Sequence, residues 1–311
     1  MENFLNNSSF FLLLCSMTFY WIRAFFNFSI FSYFGKWTIL GAHLVMFFLL
    51  IFRGIGENHF PLSNQVIKKK LSWTLLKCRI IFFFPEKVFY FYEALIFLSW
   101  GLTFIHLIIE NFLSNFLIGA VTAPTALFLN AFASFQLPDA LQKFQPLIPA
   151  LQSNWLMMHV TVMLLSYATL ISGCLLSIAF LVLNISFQKT PVKDPIQISF
   201  FENKKTQLLK KFDQLSFRSI SIGFPLLTIG ILSGSVWANE AWGSYWNWDP
   251  KETWSLITWL IFAIYLHLRF TQNWKGWKSA ILATLGFFVV WICFLGVNFL
   301  SKGLHSYGWF H

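Results

Sequence analysis

Apolar residues along this chain gather into eight long runs, and polar residues fall between the runs rather than alternating within them. The runs extend from about Phe4 to Ile22, Trp37 to Phe52, Val88 to Ile109, Phe112 to Ser134, Trp155 to Asn184, Ser219 to Val236, Thr253 to Phe270 and Lys278 to Leu300. A helix needs roughly 20 apolar residues to cross a bilayer. The pattern therefore predicts an all-α, polytopic membrane bundle of about eight transmembrane helices. The first run lacks a small-residue cleavage site after it and is read as a retained span. Pro124 should kink the fourth, which membrane helices tolerate when a neighbour covers the freed carbonyl.

Composition agrees with this class. The chain is 57% hydrophobic, 20% aromatic and 11% charged, too little polar surface to dissolve a 311-residue globule. Its net charge of +10 comes mostly from basic residues between the spans, where they orient the protein rather than bind nucleic acid. Lys189, Lys193, Lys204, Lys205, Lys210, Lys211 and Arg218 place the segment from Ile185 to Arg218 on the inner side. Arg269, Lys275, Lys278, Arg23 and Lys36 agree by alternation. Residues 135–154, 237–252 and 301–311 then face the opposite compartment. The cysteines Cys15, Cys78, Cys174 and Cys293 form no CxxC, CxxCH or zinc spacing, which excludes a thiol oxidoreductase and a c-type cytochrome.

The outward segment from Trp237 to Glu252 belongs to a stretch with six tryptophans in 26 residues, Gly234 to Trp259. An interfacial belt needs one or two indoles per helix end and does not explain this density. Asp249-Pro250-Lys251-Glu252 reads as a capping-box helix start. If residues 241–247 form a short helix, Trp242 and Trp246 share a face. Gly243 would let something flat approach the backbone. The alternative to a belt is a platform for a planar aromatic ligand.

Histidines sharpen that alternative. His159 lies one turn into the fifth span and His305 just past the eighth, both on the side of the tryptophan segment. Two neutral imidazoles beside an aromatic platform suit a haem with two axial histidines. His267 lies about 14 residues, roughly 21 Å, into a helix that starts outside, so it belongs to a second, inner station. His43 and His106 read as bundle packing.

At these residues the chain resembles a known family. WGSYWNWDPKETW resembles the WWD signature of haem-handling proteins in cytochrome c biogenesis. LQSNWLMMHVTVMLLSYATL, FPLLTIGILSGSVWANEAWGSYWNWDPKETW and GLHSYG resemble the CcsA/ResC type, above all its plastid-encoded form, with HFPLSN, YEALIFLSW and TAPTALFLNAFAS adding agreement. The resemblance implies that the protein works with a CcsB/ResB-type membrane partner in a haem lyase complex. It would carry haem b across the thylakoid membrane of a plastid and present it on the lumenal side to the CxxCH thiols of apocytochrome c. By position, His159 and His305 match the external iron ligands and His267 the transmembrane one, whose mate comes from the partner. Trp242, Gly243, Trp246, Trp248 and Asp249 match the haem-contacting motif. No general acid or base stands out, so catalysis would be mostly positioning. An electron-transfer cytochrome b would also pair histidines, but usually deep in the bundle, whereas the best pair here brackets an external loop.

The resemblance divides the chain into two N-terminal helices over 1–64, an atypical basic insertion over 65–90, and a haem-handling domain over 91–311. The insertion carries Lys68, Lys69, Lys70, Lys77, Arg79 and Lys87 on the side where positive charge is disfavoured. Two readings stand for it: an amphipathic helix on anionic lipid, or an AT-rich in-frame intron read through in translation. Neither gives Lys68 or Cys78 a role with haem.

Overall fold

The computed structural model describes residues 1–26, 28–55, 91–113, 116–137, 153–188, 195–297 and 305. These are almost wholly helical, with no strand among them. The helices are α1 (Glu2–Phe26), α2 (Ile30–Ile55), α3 (Phe91–Leu113), α4 (Leu117–Ala131), α5 (Asn154–Gln188), α6 (Pro195–Trp242), α7 (Pro250–Thr271) and α8 (Trp277–Trp291). A π-helical turn extends α4 over Phe132–Gln136 and α8 over Ile292–Gly296. All eight are long and apolar enough to cross a membrane, and the protein is a multi-pass membrane protein. The basic insertion over 65–90 lies outside the described residues.

The largest boundary differences are at the second and sixth spans: α2 begins at Ile30 rather than Trp37, so Lys36 lies inside it and not between spans. The sixth span was expected from Ser219, after a polar connection, yet α6 begins at Pro195 and runs 48 residues. The reason is periodicity hidden beneath the charge. Between Lys205 and Arg218, Leu208, Leu209, Phe212 and Leu215 recur at helical spacing and pack against Leu176, Ala179 and Phe180 of α5. Lys210 and Lys211 are exposed on the other face. What reads as a charged connection is an amphipathic continuation of the span.

Pro124 sits inside α4 without ending it. Proline removes the N–H that would bond the carbonyl four residues earlier, here that of Ala120. The indole Nε1 of Trp21 in α1 donates to that carbonyl at 3.1 Å. A neighbouring helix thus replaces the lost hydrogen bond, as spanning helices require.

The tightest pairing is between α5 and α6. Glycines on α6 let the two backbones approach: a Cβ at Gly223 would come 2.6 Å from Thr169 Oγ1, and one at Gly230 2.6 Å from Met163 Sδ. Serines bridge the same seam, Ser166 Oγ donating to Gly223 O at 2.9 Å and Ser219 Oγ to Thr169 O at 2.7 Å. Small residues and interhelical hydrogen bonds replace a hydrophobic driving force that lipid does not provide. At the start of α6's apolar part, Asp213 grips Arg269 of α7 through two hydrogen bonds, 2.8 and 2.6 Å, and also accepts from Gly276 N at 3.1 Å. This knot closes the bundle at the end opposite Trp242.

His43 and His106 are held by threonines within the bundle. His43 Nδ1 lies 3.0 Å from Thr103 Oγ1 with its ring stacked on Trp100, and His106 Nδ1 lies 2.6 Å from Thr122 Oγ1.

The proline–indole pairing makes a prediction. Trp21→Phe should lower stability by about 1 kcal/mol, the net worth of one hydrogen bond. In a Pro124→Ala background, where residue 124 regains its N–H, the same change should cost less. Reversible unfolding in mixed detergent would measure both; equal costs in the two backgrounds would show that the contact carries no energy.

Candidate functional site

The tryptophan segment is built on two helix ends. Helix α6 stops at Trp242 because Gly243 takes φ +74°, the left-handed geometry of a helix C-terminus, where a side chain would strain. Residues 243–249 follow without regular structure. The short helix over 241–247 is therefore not formed, and Trp242 and Trp246 do not share a helical face. Trp242 remains on α6 and meets Trp237 edge-to-face at 4.7 Å. Trp246 instead meets Trp248 edge-to-face at 6.0 Å. Trp248 stands 70% exposed at φ +56°, an uncommon and strained conformation for so bulky a residue. Nothing lies within 4 Å of where a Gly243 Cβ would be, so the backbone is open there.

Helix α7 begins as its sequence predicts. Asp249 is the N-cap, Pro250 follows, and Glu252 completes a capping box. Glu252 Oε2 accepts from the backbone N–H groups of Asn247 at 2.7 Å and Asp249 at 3.3 Å. Asp249 Oδ2 accepts from the Lys251 N–H at 3.2 Å and, from across the chain, from His305 Nδ1 at 2.8 Å. The His305 ring then lies edge-to-face on Trp242 at 5.0 Å and near Trp237 at 6.2 Å.

His159 is seated on α6 as well. Its Nδ1 donates to the Gly230 carbonyl at 2.6 Å, and a Cβ on Gly234 would come 2.5 Å from that nitrogen. Gly230, Gly234 and Trp237 recur at i, i+4 and i+7, one face of α6. The first two seat His159 and the third abuts His305, contacts on the order of 7 Å apart along the helix. One helical face therefore carries both imidazoles.

The hydrogen bonds fix their chemistry. A carbonyl and a carboxylate only accept, so each Nδ1 must carry its proton and each Nε2 presents a lone pair. Burial holds the His305 imidazole below its usual pKa; the Lys251 ammonium acts in the same direction, and Asp249 and Glu252 oppose it. Each imidazole has one nitrogen anchored and the other available as a ligand, the arrangement that orients metal-binding histidines. Among the described residues no three His, Cys, Asp or Glu side chains converge as a site for a bare ion.

His267 stands apart. It is exposed on the outward face of α7, near the end with the Asp213–Arg269 knot, in line with the exposed Leu260 and Ile264. Sequence reasoning placed these histidines by depth but missed the seat itself, Gly230 and Gly234. The small-xxx-small spacing on a spanning helix was the available signal.

Comparison with known proteins bears on what this arrangement serves. The family model described as cytochrome C assembly protein matches residues 88–305. The chain belongs to that family. It is 49% identical to cytochrome c biogenesis protein CcsA of Mesostigma viride, covering 99% of this chain and 97% of the relative. It is 47% identical to CcsA of Pyropia yezoensis over 99% and 98%, and 44% identical to CcsA of Crocosphaera subtropica over 100% and 98%. Among solved structures its fold resembles cytochrome c heme lyase CcmF, with a TM-score of 0.65 at 18% identity. That likeness covers 94% of this chain and 46% of the other, so the fold is shared over about half of CcmF. The protein acts in c-type cytochrome biogenesis, and haem handling is what the family implies.

Asp249 has two separable duties in this assembly member. Asp249→Ala removes the cap and leaves His305 Nδ1 without its acceptor, and should cost about 1–3 kcal/mol. Asp249→Asn keeps an oxygen and a good N-cap, and should retain most of that stability. Thermal unfolding of the detergent-solubilised variants compares them.

Proposed function

We propose that the protein receives haem b at the inner face of the thylakoid membrane, moves it outward together with a CcsB/ResB-type partner, and presents it in the lumen to apocytochrome c. The observation that carries the reading is the matched anchoring of His159 and His305, each with Nδ1 hydrogen-bonded to oxygen, which leaves the Nε2 lone pair as the ligating one. Haem fits this donor set, because its macrocycle supplies four nitrogens and needs only two axial ones from protein. The open backbone at Gly243 and the aromatic wall of Trp237 and Trp242 suit a flat, apolar plate.

The residues divide the work. His159 and His305 hold the iron, Asp249 makes His305 a better donor and keeps its tautomer, and Trp242, Trp246 and Trp248 shield the plate while an edge remains open to the lumen. Haem brings the vinyl groups to which the two thiols of CxxCH add. The protein's contribution is position: it holds the vinyl carbons where the thiols arrive. His267 supplies one ligand at the inner station. Its outward orientation supports a mate from the partner, since an imidazole facing lipid costs free energy unless something covers it.

Replacing His159 and His305 together by Ala should abolish the low-spin, two-histidine spectrum of external haem, and imidazole added to either single variant should restore part of it. Unchanged haem in the double variant would sink the assignment. Asp249→Asn should weaken external haem binding by roughly tenfold, the usual effect of removing a partner behind a ligating histidine, while stability is largely kept. His267→Ala should lower haem at both stations, whereas Trp246→Ala should lower only the external haem. Pyridine haemochrome content of the purified complex, resolved by ligand-exchange spectra, reads all of these.

A further inference from the structure

Far from the tryptophan segment, α1, α3 and α4 meet at four buried polar side chains, Tyr20, His106, Glu110 and Thr122. Their neighbours Ile109 and Ile118 share an apolar cluster with Phe212 and Ala280, which adjoin Asp213 and Ser279 of the knot. The four therefore lie at the knot end of the bundle. Tyr20 is seated there by close approach: a Cβ on Gly35 would come 3.0 Å from its ring, and one on Gly119 closer still.

Counting hydrogens shows that the cluster is one donor short. Thr122 Oγ1 donates to the Ile118 carbonyl at 2.8 Å, so at 2.6 Å from His106 Nδ1 it can only accept. The imidazole thus carries hydrogen on Nδ1 and, if neutral, presents a lone pair at Nε2. Tyr20 has one hydroxyl hydrogen and gives it to Glu110 Oε1 at 2.9 Å, with its oxygen 3.4 Å from that Nε2. Glu110 Oε2 lies 3.6 Å from the same nitrogen and has no hydrogen-bond partner. With an ionised carboxylate and a neutral imidazole, two lone pairs and a net charge would face each other away from water, which costs free energy on both counts.

We infer that His106 and Glu110 bind one proton between them, with Tyr20 as its cap, and that this proton holds α1 to α3 and α4. Whether it rests on nitrogen or on oxygen, the pair is neutral as a whole, and the proton belongs to the pair rather than to either residue. No other ionisable group competes for it among the described residues. On α1, Arg23 lies over the Phe116 ring at 4.7 Å, and on α2 Lys36 Nζ donates to Asn111 Oδ1 at 2.8 Å at the surface. The cluster's neighbours on α4, α5 and α8 are apolar, and on α6 Asp213 is committed to Arg269. The site is separate from the histidines and tryptophans at the other end and does not depend on the haem reading.

Proton counting supplies the test. Full-length protein is unfolded reversibly by urea in an uncharged detergent between pH 7 and pH 8, as wild type and as Glu110→Gln, whose amide N–H can serve His106 Nε2 without an added proton. Folded wild type holds one titratable proton at the pair and the folded variant none, while Glu110 is ionised in the unfolded chain. Stability must then fall as pH rises, and the unfolding constant of wild type should rise about tenfold per pH unit relative to that of the variant. Every other titrating group is common to both and cancels. Wild type alone should weaken by roughly eightfold from pH 7 to pH 8, since an unfolded histidine is largely neutral there, which decides the case even if no Glu110 variant folds. A ratio that does not change with pH, or a wild type whose stability is level or rises over this range, overturns the inference. So does a ratio that follows sodium concentration instead of pH, which would put a metal cation in the gap rather than a proton.

Discussion

Everything at the candidate site depends on how closely the backbones of α5 and α6 approach. In lipid, two apolar helices gain little by touching, because the acyl chains they displace are as apolar as they are. Close approach must be made worthwhile by dense contact and by hydrogen bonds between the helices. Gly223, Gly230 and Gly234 open the α6 surface, and Ser166 and Ser219 reach across it to backbone carbonyls. The His159–Gly230 bond is one more link in this series, placed at its outer end. The helix seam and the seat of His159 are the same structure here.

Asp249 shows a similar economy. One carboxylate oxygen accepts from the first turn of α7 and from His305. Asp249 is both the helix cap and an acceptor for His305, because the geometry of a helix start presents an acceptor beside the place where His305 arrives. The cap fixes the carboxylate, and the fixed carboxylate fixes the imidazole.

How much of this was legible depended on the range of the interactions involved. Spans follow from runs of consecutive apolar residues and were readable; α7 begins at Pro250, as the capping box required. The extension of α6 was obscured because Lys205, Lys210 and Lys211 dominate a count of charge while Leu208, Phe212 and Leu215 set the period. Trp242 and Trp246 have the spacing of helical neighbours, but the positive φ of Gly243 ends the helix between them. The seat of His159 lies about 70 residues from it in sequence, and nothing local to His159 announces Gly230 or Gly234. Trp21 beneath the carbonyl freed by Pro124 is equally remote: sequence required some neighbour there, and only the fold supplies its identity.

Helix α6 is about 72 Å long at 1.5 Å per residue, more than twice the ~30 Å hydrocarbon thickness. Both imidazoles touch the outer end of this rod, His159 at Gly230 and His305 at Trp237 and Trp242. A rod behaves as a gauge: when it slides or tilts in the bilayer, marks scribed on one side of it travel together. Changes in membrane thickness would therefore raise or lower the pair of rings as a unit and leave the gap between them nearly constant.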